Sequence, residues 1–175
     1  MRISIIVGSI SDLSQCDKGL KFLNALPHAN RKQKVEVTGV YIRSQHRNTL
    51  DVQALLTKLQ KEKVDVIIVG AGWANHLTGC CDAFLRYTLR DDKITVIGVA
   101  FEDNTNTRHT VAASLSISEV PGTQVLYSDS SGQFIGREGF FKACKRATEN
   151  NLPKIKLPEP KPAVDLSLKD ALRNL

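Results

Sequence analysis

The stretch VDVIIVGAGWANH, residues 64–76, decides how the rest of the chain is read. From Val64 to Val69 it is apolar and β-branched apart from Asp65, and it closes on Gly70, with a second glycine at Gly72. A run so short and so nearly continuous suits a strand buried on both faces better than a helix, which needs about ten residues or more. Helices must then cover both faces, so the stretch predicts a parallel sheet between two helical layers.

The same rhythm recurs on either side. Arg2–Val7 is a β-branched run closing on Gly8, and from Leu13 the apolar residues Leu13, Cys16, Leu20 and Leu23 follow a helical period. VEVTGVYI, residues 35–42, precedes a segment with Val52, Leu55, Leu56 and Leu59 on one side. Asn75 to Leu89 reads as the helix after the third strand, and ITVIGVA, residues 94–100, as the fourth strand. Thr123–Tyr127 reads as a fifth strand, and Phe140, Phe141, Cys144 and Ala147 mark a closing helix. Five βα units predict an α/β fold, a three-layer α/β/α sandwich spanning residues 1–150. In residues 151–175 four prolines, Pro153, Pro158, Pro160 and Pro162, forbid regular helix or internal sheet pairing. This part is expected to be an extended arm, with a short helix starting at Ser167 or a frayed end.

The 175 residues, 42% of them hydrophobic, suffice for one substantial core. The net charge of +6 suits an anionic ligand, but lysines and arginines alternate with acids along the chain, so no nucleic-acid patch is expected. No apolar run approaches the ~20 residues of a membrane span, and MRISIIVGS is too short for a signal peptide, so the expected location is the cytoplasm. Cys16, Cys80, Cys81 and Cys144 lie in helix-like stretches with no CxxC spacing. They read as reduced thiols, and no metal site is expected, the nearest candidate being His76 four residues before Cys80.

In an open parallel sheet, ligands bind beyond the carboxyl ends of the strands, where the strand order reverses. Three such loops carry unusual chemistry. Gly8-Ser-Ile-Ser-Asp12 leads into a helix whose free N–H groups attract phosphate, with the Ser9 and Ser11 hydroxyls as added donors. Its alternative is an ordinary helix cap made by Ser11 or Asp12. Arg43-Ser-Gln-His-Arg47 gathers two guanidiniums, the Ser44 hydroxyl and an imidazole, with Arg47 suited to clamp an anion and His46 to move a proton. Gly70-Ala-Gly-Trp-Ala-Asn-His76 lets the backbone at Gly72 approach a ligand closely and ends on His76, which begins a helix. Trp73 either covers a planar ring or serves packing or subunit contact. In a flavodoxin-like strand order, 2-1-3-4-5, these three loops become neighbours.

At these loops the sequence resembles the family of carboxyaminoimidazole ribonucleotide mutase and aminoimidazole ribonucleotide carboxylase. That family reads GSxSD, SAHRTP and GAGGAAHLPG; here the stretches are GSISD at Gly8–Asp12, SQHRNT at Ser44–Thr49 and GAGWANHLTG at Gly70–Gly79. The likeness runs from Met1 to roughly Val125. It implies purine-biosynthesis chemistry on a small-molecule nucleotide, with no metal or organic cofactor, in a homo-octamer with sites near subunit contacts. Ser9, Ser11, Asp12, Ser44 and Arg47 become the nucleotide binders, with Ser11, Ser44 and Arg47 nearest the phosphate and Asp12 nearer the ribose. His46 becomes the proton shuttle, while His76 and Gly72 line the pocket for the carboxyl group or carbon dioxide.

Three positions depart from the family pattern: Trp73 replaces a glycine, Asn75 an alanine and Thr78 a proline. They imply a reshaped pocket. The family's LSGxDSL segment has no counterpart in residues 104–122, where His109 and Arg108 are the candidates to compensate. Arg47 and His76 match the mutase branch, whereas Asn75 and Asp82 match the branch that carboxylates directly. The mutase is the expected activity, with direct carboxylation or a noncatalytic nucleotide-binding relative as alternatives. A flavin carrier shares the fold and is separable by absorbance.

Overall fold

The computed structural model describes residues 1–26 and 34–175. Four parallel strands, β1 (Arg2–Val7), β2 (Glu36–Ile42), β3 (Val66–Ala71) and β4 (Thr95–Ala100), make a sheet of order β2-β1-β3-β4. β3 pairs with β1 from Val66 opposite Ile3 to Gly70 opposite Val7, and with β4 from Val66 opposite Thr95 to Ala71 opposite Ala100. Their carboxyl ends are therefore level, which brings Gly8 against Ala71, whose Cβ would stand 3.0 Å from a Cβ added at Gly8.

Helices α1 (Asp17–Ala25), α4 (Thr107–Ser118) and α5 (Gly136–Arg146) cover one face of the sheet, and α2 (Thr49–Lys61) and α3 (His76–Ala83) the other. Side chains alternate as the pleat requires: Ile3, Ile5, Ile68 and Val99 meet Leu23, Ile117, Phe140 and Cys144, while Ile6, Ile67, Val69 and Val96 meet Leu55, Leu56, Leu59 and Leu85. All six residues of β3 and of β4 are buried, as the near-continuous apolar runs require, whereas edge strand β2 is partly exposed. The α/β/α sandwich read from the sequence is present.

The expected fifth strand is not formed. Leu126 makes a single parallel bridge to Ile97, donating to the Val96 carbonyl and accepting from Gly98 N–H, both at 2.9 Å. The chain then leaves the sheet through a small antiparallel ribbon, β5 (Ser128–Asp129) with β6 (Gly132–Gln133), tightened where Asp129 accepts from Ser131 N–H. It returns at Phe134, whose carbonyl accepts from Ala100 N–H at 3.0 Å. Two separated segments thus share the edge of β4 because a hairpin interrupts the run. α4 is a helix that the sequence reading did not assign. The helix expected from Leu13 begins instead as a 3-10 turn over Ile10–Gln15 and becomes α-helical at Asp17.

From Asn151 the chain has no regular structure until α6 (Leu168–Arg173). Leu152 packs on the core, Gln124 and Lys156 exchange hydrogen bonds of 2.6 and 2.7 Å, and Arg90 donates to the Pro158 carbonyl at 2.8 Å. Ser167 caps α6 by accepting from Asp170 N–H at 3.2 Å. Among the described residues, no helix is long and apolar enough to cross a membrane.

Candidate active site

The ends of β1, β2 and β3 open onto a cavity of about 570 Å³. Ser9, Ser11, Asp12, Ser44, His46, Arg47, Gly72, Trp73 and His76, the residues singled out in the sequence, all line it. Gly8, Gln45, Ala71, Ala74 and Leu77 complete the wall.

In the first loop Ser9 occupies the cap position of the 3-10 turn, yet its side chain makes no capping bond. Its hydroxyl accepts instead from the Ser11 hydroxyl at 3.0 Å, so neither Ser11 nor Asp12 serves as the ordinary cap weighed above and both hydroxyls stay at the cavity rim. The Asp12 carboxylate reaches across to Gly72, where an added Cβ would stand 3.9 Å from Oδ1. Burial pushes the Asp12 carboxyl up to about 6, against the pull of a hydrogen bond from the Ser9 backbone and the charge of Arg47.

The folded protein therefore retains a proton on Asp12 that the unfolded chain releases near pH 4. The stabilisation from the neutral carboxyl is complete below that pH and is lost as pH rises through about 6. Asp12→Asn, which cannot ionise, is expected to leave Tm unchanged at acid pH. Near neutral pH it should raise Tm by about 2–4 °C, the change produced by ~1 kcal/mol in a chain of this size. Thermal melts of both proteins at the two pH values check this, and equal Tm values at neutral pH would contradict it.

The second loop is held by a residue the sequence reading passed over. Asn48 accepts from Ser44 N–H at 3.1 Å through its side chain and donates its own N–H to the Ser44 carbonyl at 2.8 Å. That turn leaves His46 and Arg47 exposed at the mouth, and Arg47 donates to the Gly8 carbonyl at 3.3 Å, joining the first two loops. His46 Nε2 lies 3.1 Å from His76 Nδ1, with the two rings 15° from parallel, so one imidazole donates to the other. The third loop is anchored from beneath, where Phe101 N–H donates to the Ala71 carbonyl and the Phe101 ring fills the space that a side chain at Gly70 would occupy. Trp73, 66% exposed, adopts a left-handed conformation at φ 59° and stacks on His109 with ring centres 4.0 Å apart.

The sequence pattern of the family described as AIR carboxylase matches residues 2–126 and includes all three loops. The chain belongs to the AIR carboxylase family. Members of that family are mutases or carboxy-lyases of purine biosynthesis. The crystal structure of Treponema denticola PurE is similar at 19% identity, covering 86% of this chain and 90% of that one, with a TM-score of 0.51. A PurE2 variant of the same organism is similar at 18% identity over the same shares, again with a TM-score of 0.51. At these identities the likeness supports the fold alone. No curated protein sequence matches the chain.

Two of the three departures from the AIR carboxylase pattern do not reach the cavity. Asn75 is wholly buried; it caps α3 by accepting from Thr78 N–H at 3.1 Å and donates to the Val99 carbonyl at 2.9 Å. The Thr78 hydroxyl, also buried, bonds the Val69 carbonyl at 3.2 Å. Together they bind the start of α3 to the ends of β3 and β4, so the reshaping expected from them falls on the scaffold. Asp82 likewise lies in the interior, paired with Arg86 at 3.0 Å, and does not line the cavity. Of the two residues expected to compensate for the missing segment, His109 reaches Trp73, while Arg108 is exposed and does not line the cavity. Cys16, Cys80, Cys81 and Cys144 are free; burial pushes the Cys16 thiol up to about 12 and holds the others above their ordinary range. Among the described residues, no three His, Cys, Asp or Glu side chains are grouped to hold a metal ion.

Proposed function

We propose that the chain is a carboxyaminoimidazole ribonucleotide mutase, moving a carboxyl group from the exocyclic nitrogen of the nucleotide to its ring carbon. The observation that carries this reading is the His46–His76 pair on the wall of a cavity that also holds an arginine and three serine hydroxyls. Ser9, Ser11, Ser44 and Arg47 suit the phosphate, since they combine a cation with neutral donors beside the start of the 3-10 turn. Asp12, with its raised affinity for a proton, suits the ribose hydroxyls. Binding energy from that remote end holds the ring in reach of His46.

The chemistry balances without a further reactant. Protonated His46 gives its proton to the exocyclic nitrogen as the nitrogen–carboxyl bond breaks, releasing carbon dioxide and the amine. The ring carbon attacks the carbon dioxide, held near Gly72 and His76, and a new carbon–carbon bond forms. The now neutral His46 takes the proton from that carbon, restoring both the aromatic ring and the catalyst.

The test is conversion of the carboxyaminoimidazole nucleotide to its ring-carboxylated isomer in bicarbonate-free buffer. Turnover supports the mutase. Turnover only of aminoimidazole ribonucleotide with added carbon dioxide would replace it by the direct carboxylase, and binding without either reaction by a noncatalytic relative. The reading also includes a homo-oligomer in which the arm beyond Asn151 extends contacts between subunits. Light scattering is expected to show an assembly for the full chain and a smaller or weaker one for a chain ending at Asn151. Monomers in both cases would end that part of the reading.

A further inference from the structure

Trp73 is the only tryptophan in the chain, and a φ of 59° is a costly conformation for a residue with a large side chain. Its indole is held in place by stacking on His109, with 18° between the rings. His109 is itself fixed at both nitrogens. Nδ1 lies 2.6 Å from Asp103 Oδ2, and Nε2 lies 3.2 Å from Asn106 Nδ2. The Asn106 side-chain oxygen Oδ1 is committed to Arg108 N–H at the start of α4, so the side-chain NH2 must donate to Nε2, and Nδ1–H donates to Asp103. Asp103 in turn accepts from the Thr105 hydroxyl and amide at 2.6 and 2.8 Å. These bonds, the Thr105 hydroxyl first, hold its carboxyl well below the usual carboxylate range, so it stays ionised opposite the imidazole.

Trp73 lines the cavity, whereas His109 does not. Stacking on His109 covers one face of the indole, and with Trp73 66% exposed the other face is open to an occupant of the cavity. An aromatic plane braced from behind on the wall of a nucleotide-sized cavity is suited to stack against a planar heteroaromatic ring. We propose that Trp73, braced by His109, is a shelf on which the substrate's ring stacks, and that Asp103 and Asn106 are positioning residues that fix His109 behind it. The shelf brings a ring-binding element to the position where the family pattern has glycine, and it confers preference for the ring rather than for the ribose phosphate.

This inference rests on the nucleotide reading above, and the test separates the two. Calorimetry gives the dissociation constants of aminoimidazole ribonucleotide and of ribose phosphate lacking the ring, and their ratio measures what the ring contributes. Trp73→Gly relieves the left-handed backbone, so folding is retained; it is expected to cut that ratio about tenfold with ribose phosphate affinity unchanged. Trp73→Phe should keep most of the ratio. His109→Ala and Asp103→Asn should each lower it about threefold, again without effect on ribose phosphate. An unchanged ratio in Trp73→Gly, or equal weakening of both ligands, overturns the shelf while leaving the nucleotide reading in place. Failure of the wild-type protein to bind either ligand overturns the nucleotide reading, and the shelf with it.

Discussion

Replacing His46 with asparagine is expected to lower kcat for the carboxyaminoimidazole nucleotide by about 10²–10⁴-fold, the usual contribution of a positioned acid–base group. The asparagine amide would remain polar and planar but cannot carry a proton through the neutral range. KM should stay within about threefold, because the phosphate and ribose contacts assigned to Ser9, Ser11, Ser44, Arg47 and Asp12 lie on other side chains. A fall in kcat and kcat/KM together marks an interaction made in the transition state rather than in substrate binding. His76→Asn is the informative comparison, since His76 holds His46 through the 3.1 Å contact. If kcat of His46→Asn stays within tenfold of the wild type, His46 is not the proton carrier, and a larger loss in His76→Asn would transfer the role to its partner.

His76 was legible in the sequence because it follows a strand whose buried character is written in its own residues, whereas His46 follows the partly exposed edge strand β2 and was marked by the density of Arg43, Ser44 and Arg47 around it. Val66 to Val69 and Val96 to Val99 are covered by helices on both sides, so burial leaves an almost unbroken apolar run and the strand's end can be located closely. Loops at the carboxyl ends of adjacent parallel strands must then converge, and His46 and His76 meet without any local signal that they should. α4 was not legible for the opposite reason. Only Ala113 and Ile117 of its twelve residues are buried, and its serines and threonines mimic a loop.

Missing α4 concealed the surroundings of Trp73 as well. Nothing near Trp73 in the chain indicates that the start of a helix more than thirty residues on supplies His109 as its stacking partner. Asn75 and Thr78 were misread because position in a motif says which loop a residue belongs to, not which way it faces. At the first turn of α3 the capping geometry turns Asn75 inward, and its amide answers backbone groups that would otherwise be buried unpaired.

Arg86→Met is expected to destabilise the protein by about 3–5 kcal/mol, the cost of removing one partner from a buried ion pair. Arg86 is 1% exposed, and its guanidinium reaches Asp82 at 3.0 Å, the Asp91 carbonyl at 2.9 Å and the Ile94 carbonyl at 2.7 Å. Burial pulls its pKa down, and the charges of Asp82 and Asp91 oppose that pull. Without the guanidinium, Asp82 keeps only the Gln124 amide and the Thr123 hydroxyl, and two carbonyls lose their donor in the interior. At ~2–4 °C per kcal/mol, Tm should fall by roughly 6–20 °C. Adding Asp82→Leu removes the stranded charge, so the double variant should be less destabilised than the sum of the two single ones. The cluster sits where α3 passes into a π-helical turn over Phe84–Thr88, about 15 Å along the helix from His76. At temperatures where the variant stays folded, kcat and KM should therefore match the wild type. A Tm loss below about 3 °C would show that water or a shifted side chain replaces the guanidinium, and a loss of kcat in the folded variant would show that the far end of α3 sets the approach of His76 to His46.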